Sequence, residues 1–372
     1  MAYLGQEFKK LGFGLMRLPM IGEDVDIEQT KQMVDLFMAK GFTYFDTAYG
    51  YLGGKSEKAI KEALVDRYPR DSFQLATKLP AWAGAKTAEE AKAMLTTSLE
   101  RTGAGYFDFY LLHNLGDTRT EYFDRFGIWD FLAQKKEEGV IKHLGFSMHD
   151  KADALDEVLT KHPNIEFVQL QINYADWESA SVQSRACYEV ARKHGKPVII
   201  MEPVKGGSLA NLPEPVAKIM KDYNPDASLS SWAIRYAASL EGLVTVLSGM
   251  STLDQMKDNL SFMENFKPLS KEEYAVIDKV VDALNNLPQV PCTGCSYCTK
   301  GCPMSINIPG VFKAMNNELI YGNRAGAVSN FGFATRGGGK PSDCIQCGQC
   351  EAACPQHIEI IKELQKAAQM YE

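Results

Sequence analysis

Eight of the chain's nine cysteines lie in its last 81 residues, as two copies of one spacing. The first is Cys292-x2-Cys295-x2-Cys298-x3-Cys302-Pro303, the second Cys344-x2-Cys347-x2-Cys350-x3-Cys354-Pro355. Eight thiols at such spacing need a partner that fixes them, and metal, cluster or disulfide are the choices. Structural zinc generally uses paired Cys-x2-Cys elements, not triplets closed by a proline-terminated fourth member. Disulfide frameworks suit short secreted chains, and no basic-then-apolar leader follows Met1. Iron–sulfur ligation is left as the reading of this repeat.

The run resembles that of bacterial ferredoxins, in which four thiolates hold a [4Fe–4S] cube. Three close thiolates take three corners, and the fourth usually crosses to the second cluster. The resemblance implies two clusters, one on Cys292, Cys295, Cys298 and Cys354, the other on Cys344, Cys347, Cys350 and Cys302. Such thiolate sites point to a reducing, cytoplasmic setting.

At 372 residues the chain is long enough for a large domain and a small one. Hydrophobic content of 45% and charged content of 23% are ordinary for a globular protein. No apolar run approaches the roughly eighteen residues that span a bilayer, so no membrane role is expected. A net charge of −7 without a Lys/Arg run argues against nucleic acid.

Upstream of the cysteines, short apolar runs centre on Gly14, Phe45, Ala76, Tyr110, Leu144, Leu170, Ile200 and Val246. Each precedes an amphipathic helical pattern. Runs such as Phe107 to Leu112 and Pro197 to Met201 are nearly all apolar, as strands buried on both faces are. Thr87-x-x-Glu90 supplies a helix start ahead of Ala91 to Leu99. Eight units in about 285 residues predict an α/β fold, a (β/α)8 TIM barrel, rather than an open doubly wound sheet. Gly12-Phe13-Gly14-Leu15-Met16-Arg17 lacks the third glycine of a dinucleotide fingerprint. Gly337-Gly338-Gly339-Lys340 is followed by Pro341, so it reads as a flexible loop and not a phosphate loop. The predicted division is residues 1–285 for the barrel and 286–372 for a small, mainly helical ferredoxin-like domain. Ser270-x-x-Glu273 starts a helix to about Asn285, residues 285–291 form a linker, and Pro309 to Tyr321 is helical.

Barrel chemistry sits where strands finish. Asp46 ends the second strand, with Tyr51 five residues on; Lys78 ends the third and His113 the fourth. Ser147 follows the fifth strand, Gln169 lies in the sixth, and Glu202-Pro203 closes the seventh. Singly, each has a structural use as a cap, a solvated charge or a packed histidine. Together, a lysine charge beside a phenol would lower the tyrosine's pKa toward neutrality.

This set resembles the aldo/keto reductase family, through Phe45-Asp46-Thr47-Ala48-x-x-Tyr51, Ala76-Thr77-Lys78, Ser98-Leu99-Glu100-Arg101 and Asp108-x-Tyr110-x-x-His113. Gly145-Phe146-Ser147 and Asp258-Asn259-Leu260 also fit, and the likeness covers roughly residues 8 to 265. It implies a nicotinamide nucleotide passing hydride to a carbonyl carbon of an aldehyde, ketone or sugar. Tyr51 would protonate the oxygen, Lys78 and Asp46 would tune Tyr51, and His113 would position the oxygen. Gly14, Leu15, Met16, Ser147, Gln169, Pro203, Val204, Gly206, Gly207, Leu209, Gln255 and Asn259 match nucleotide contacts, Asn259 at the adenine. Lys205 would add a cation there or stand as a solvated loop lysine. Many members hold the NADP 2′-phosphate with Lys-Ser and a later Arg; here those positions are Gly249-Met250 and Gln255. NADH is therefore expected to be favoured over NADPH, or the two weakly discriminated. Trp82 and Trp177 stand as pocket walls or packing aromatics, and Cys187 as an inert thiol. The alternative is an electron-transfer relay in which the clusters work with a flavin or a partner redox protein; flavin is possible but not predicted.

Overall fold

The computed structural model describes residue 4, residues 9–116 and residues 119–372. Residues 1–3, 5–8, 117 and 118, part of the expected 1–285 domain, lie outside the described residues, as does the start of the family likeness at position 8. The chain divides into two compact units. The first comprises Met1–Trp177, Val182–Pro203 and Ser230–Leu269; the second comprises Glu178–Ser181, Val204–Leu229 and Ser270–Glu372.

In the first unit, β1 (Leu11–Gly14) is followed by a two-stranded antiparallel hairpin, β2 (Met20–Ile21) and β3 (Asp24–Val25). Seven more strands follow: β4 (Tyr44–Asp46), β5 (Gln74–Leu79), β6 (Phe107–Leu115), β7 (Ile141–Met148), β8 (Phe167–Gln171), β9 (Val198–Met201) and β10 (Leu243–Gly249). β1 and β4 to β10 close into a parallel barrel in sequence order, with β1 pairing both β4 and β10. Each of the eight apolar runs became one of these strands, and helices fill the crossovers, as a (β/α)8 fold requires.

Strand alternation puts residues i and i+2 on one face. Tyr44, Ala76, Phe109, Leu111, Phe167, Ile199, Val244 and Leu247 form one buried apolar cluster. Two residues beyond members of that cluster stand Asp46, Lys78, His113 and Gln169. The same alternation that packs the barrel's apolar plug therefore delivers polar side chains to the strand ends. At Gly145 a Cβ would lie 2.6 Å from the Phe167 ring and carbonyl, so only glycine fits opposite that ring.

The helix starts read from sequence hold. Thr87 Oγ1 accepts from Glu90 N at the head of Ala88–Thr102, and Ser270 with Glu273 forms a full capping box on Lys271–Asn285.

The second unit is built of helices, among them Ile308–Tyr321, Arg324–Ala334 and Ile360–Tyr371. Ile306, Ile308, Val311, Phe312, Met315, Ile360 and Leu364 pack with Cys298 and Cys350 in its core. In the glycine run 337–339, expected to be a flexible loop, Gly337 is open but Gly338 and Gly339 lie against main chain. A Cβ at Gly338 would meet the Ser305 carbonyl at 2.5 Å, and one at Gly339 the Met304 carbonyl at 2.3 Å. Glycine is there for close approach. Among the described residues no helix is long and apolar enough to cross a membrane.

Candidate active site

Lys78 is the centre of the polar group. Its ammonium has three donors, and all are taken: Asp46 Oδ1 at 2.5 Å, the Thr47 carbonyl at 2.7 Å and Tyr51 Oη at 3.3 Å. Lys78 is 1% exposed and Asp46 2%. Burial alone would pull the Lys78 ammonium down, but Asp46 and Tyr51 outweigh it and hold its pKa above the ordinary value. Burial raises the Asp46 carboxyl, opposed by Lys78 and by hydrogen bonding from Gln169. With Nζ at 2.5 Å and the lysine protonated, the two form an ion pair at neutral pH.

Tyr51 is half-buried and begins a tight turn in which Leu52, Gly53 and Gly54 all have positive φ. Arg101 clamps this turn: it donates to the Tyr49 carbonyl at 2.9 Å and pairs with the fully buried Glu57 at 3.2 Å. Thr77, beside Lys78, donates to the other Glu57 oxygen at 2.7 Å. One buried carboxylate thus ties the Tyr51 turn to the strand that carries Lys78.

The phenol does not behave as the sequence suggested. Burial pushes Tyr51 above its ordinary 10.0, and Lys78 only partly offsets this, because Asp46 neutralises the ammonium's field. Tyr51 is a protonated phenol across the neutral range. His113 lies against it, ring centroids 5.9 Å apart and planes at 79°. Burial, then the Lys78 charge, holds His113 well below 6.5, so the imidazole is neutral. Trp82 Nε1 donates to the His113 carbonyl at 2.7 Å and its ring lies 6.2 Å from the imidazole.

Beyond His113 the β6–β7 pairing shifts register and Asn114 turns to φ 59, which brings its N–H to Ser147 Oγ at 2.8 Å. His113 Nδ1, Asn114 Oδ1 and Gln169 Oε1 are among the polar atoms buried at these strand ends without a hydrogen-bond partner among the described residues. Buried polar groups are normally paired, so this end of the barrel is shaped for a polar ligand.

The other sequence candidates are spread more widely. In the first unit, Gly14 faces Gly249 and Asp46 in register; Leu15 is buried and Met16 is 54% exposed. Pro203 is buried after Glu202, which holds φ 54. Gln255 accepts from Ser251 N at 2.7 Å, and the buried Asn259 donates to Ser248 Oγ at 2.7 Å. In the second unit, Val204, Gly206, Gly207 and Leu209 lie in or beside the Lys205–Ala210 turn, with Leu209 buried. Trp177 packs on Tyr188 and Tyr236, and burial pushes the Cys187 thiol up to about 11. Asp108, from the matching motif, is structural, held by Arg70 at 2.7 Å and Lys142 at 2.9 Å. Sequence reasoning passed over Arg17, whose aliphatic stem lies 3.6–3.7 Å from where a Gly249 Cβ would stand. Its place directly after a strand end was the available signal.

The cysteines gather as two quartets. Cys292, Cys295, Cys298 and Cys354 line one hollow with Ile308, Phe312 and Ile360. Cys302, Cys344, Cys347 and Cys350 line another with Ile306, Ile308 and Leu364. Among the described residues no three His, Cys, Asp or Glu side chains close on a single metal ion. Four thiols spread around a hollow fit a cube, in which each thiolate meets a different iron.

Residues 10–282 match the model of the aldo/keto reductase family, and residues 291–359 that of a 4Fe-4S dicluster domain. The chain belongs to the aldo/keto reductase family, and so to the NAD(P)H-dependent oxidoreductases. It is 27% identical over 261 residues to an aldo-keto reductase of Mycolicibacterium vanbaalenii, covering 69% of this chain and 85% of that one. It is 22% identical over 311 residues to an L-galactose dehydrogenase of Arabidopsis thaliana, 76% of this chain and 93% of the relative. Among solved structures, the holo form of an aldo-keto reductase from Bacillus halodurans superposes with a TM-score of 0.60. That match has 26% identity and covers 74% of this chain and 93% of the other.

Proposed function

We propose that the chain reversibly reduces the carbonyl of an aldehyde, ketone or sugar to an alcohol, with Tyr51 as proton donor. The carrying observation is the Lys78 ammonium held between Asp46 and Tyr51 at 2.5 and 3.3 Å. A nicotinamide nucleotide supplies the hydride. The unpaired Gln169 Oε1 fits its carboxamide amino group, with the Ser147 hydroxyl as a second contact. Neutral His113 hydrogen-bonds the carbonyl oxygen and orients it, while Tyr51 delivers the proton. Lys78, held in place by Asp46, acts through Tyr51, its charge favouring the phenolate left behind. The dehydrogenase relative makes sugars a natural part of the substrate screen.

The remaining nucleotide roles rest on the family likeness: Gly14, Leu15, Met16, Pro203 and Gln255 in the first unit, with Asn259 at the adenine. Val204, Gly206, Gly207 and Leu209 are assigned to the pyrophosphate on the same likeness. Gly249, Met250 and Gln255 offer no cation, and what lies against Gly249 is the aliphatic stem of Arg17. NADH is therefore proposed to bind at least as tightly as NADPH. Dissociation constants for both check this, and a strong NADPH bias overturns it.

The two quartets are proposed to hold two [4Fe–4S] clusters in a domain starting near residue 286, in a cytoplasmic protein. Cys295 and Cys347 are exposed, one in each quartet, which favours electron exchange with a partner redox protein as a second activity. The test is an anaerobic screen of aldehydes, ketones and sugars with iron-replete protein. Tyr51→Phe should lose about 10²–10⁴-fold in turnover with its melting temperature little changed. Full turnover in Tyr51→Phe, with loss in Cys347→Ser, would replace the reductase by the relay.

A further inference from the structure

The chain between the cysteine motifs, residues 304–343, is longer than two clusters require, and the helix Ile308–Tyr321 within it has a definite use. Its first turn touches the cysteines' surroundings: Ile308 lines both hollows, Pro309 and Phe312 one. Two turns further on, it presents two adjacent asparagines. Asn316 grips the main chain of Val290, accepting from its N–H at 2.8 Å and donating to its carbonyl at 2.7 Å. That carbonyl also accepts from Cys292 N at 2.8 Å.

Asn317 reaches elsewhere in the same unit. Its Oδ1 accepts from Ser208 Oγ at 3.0 Å, and Asn323 Nδ2 donates to the same hydroxyl at 3.1 Å. Ser208 is 1% exposed and sits in the Lys205–Ala210 turn, where Lys205, Gly206 and Gly207 hold φ of 50, 64 and 100. Glycine takes positive φ freely, so of the three only Lys205 is held in a conformation that its side chain disfavours. Main-chain bonds from Gly207 N and Leu209 N to the Val204 carbonyl close the turn, and the buried, doubly bonded serine ties it to Asn317 and Asn323.

We propose that Asn317 is a positioning residue for nucleotide binding. Through Ser208 it fixes the Lys205–Ala210 turn, so that the helix packed on the clusters couples cluster assembly to nucleotide affinity. This rests on assigning that turn to the pyrophosphate.

The test is the equilibrium binding of NADH and of ADP-ribose, which lacks the nicotinamide, to cluster-replete protein. Asn317→Ala should raise both dissociation constants about three- to tenfold, the loss of one buried hydrogen bond, with iron content and visible absorbance unchanged. Asn317→Asp, which keeps the acceptor for Ser208, should restore most of the affinity. Removing iron from the parent chain should weaken binding comparably, and should add little in Asn317→Ala, because both act through one connection. Should Asn317→Ala lose iron, Ser208→Ala cuts the same bond from the other end and decides in its place. Unchanged constants in cluster-replete variants of a parent that binds nucleotide overturn the coupling alone. A parent that binds neither ligand overturns the pyrophosphate assignment, and the coupling with it.

Discussion

An ammonium buried to 1% exposure is costly unless each of its protons finds an acceptor, and Lys78 finds three. Truncating it would leave Asp46 buried and unpaired, a loss of about 3–5 kcal/mol of stability. Asp46, Lys78 and His113 were legible because each polar residue closes an apolar strand. The state of the phenol was not, because desolvation and the neutralising carboxylate are properties of the packed site. That state sets the pH dependence. Tyr51 lies above 10.0 and His113 well below 6.5, so neither group titrates between them. Carbonyl reduction should be flat from about pH 7 to about 9.5. Alcohol oxidation, which needs the phenolate, should rise about tenfold per unit over that window. Rate profiles in both directions check this, and a break in reduction near neutrality would show that another group donates the proton.

At the scale of elements, strands and helix starts were readable from apolar runs and capping residues. The β2–β3 hairpin, the register shift in β6 and the positive φ at Asn114, Glu202 and Lys205 were not, since tertiary packing imposes them. Glu166 shows how such packing is secured. Just before β8, it accepts from Leu144 N at 2.9 Å and meets His143 at 3.2 Å and Lys136 at 2.6 Å, joining β7 to its neighbour. Burial alone would raise its carboxyl, but these partners win and hold it down to about 2, against 4.5 ordinarily. A depressed carboxylate stabilises the fold above pH 4.5, and that contribution fades as pH falls toward 2. Glu166→Gln should therefore cost about 1.5 kcal/mol at pH 7, and less as the pH is lowered through 4. Melting temperatures of both proteins across that range measure it; a gap that stays constant with pH would contradict the charge-based account.

For the whole molecule, the grouping of the cysteines was legible, since each hollow is lined by three cysteines of one motif and the last of the other. The extent of the second unit was not, because Val204–Leu229 joins it through contacts that sequence order hides. Iron analysis of anaerobically prepared protein should give about eight irons per chain, two cubes of four, with visible absorbance that dithionite bleaches. Zinc at one or two equivalents instead would remove the clusters from the account. The reductase assignment itself is tested most directly by following the hydrogen. With 4-deuterated NADH and a carbonyl found in the screen, a single anaerobic turnover should place deuterium on the product's carbinol carbon. Nucleotide oxidised with no deuterium in the alcohol, its electrons recovered in the clusters or an added acceptor, would contradict direct transfer at this site.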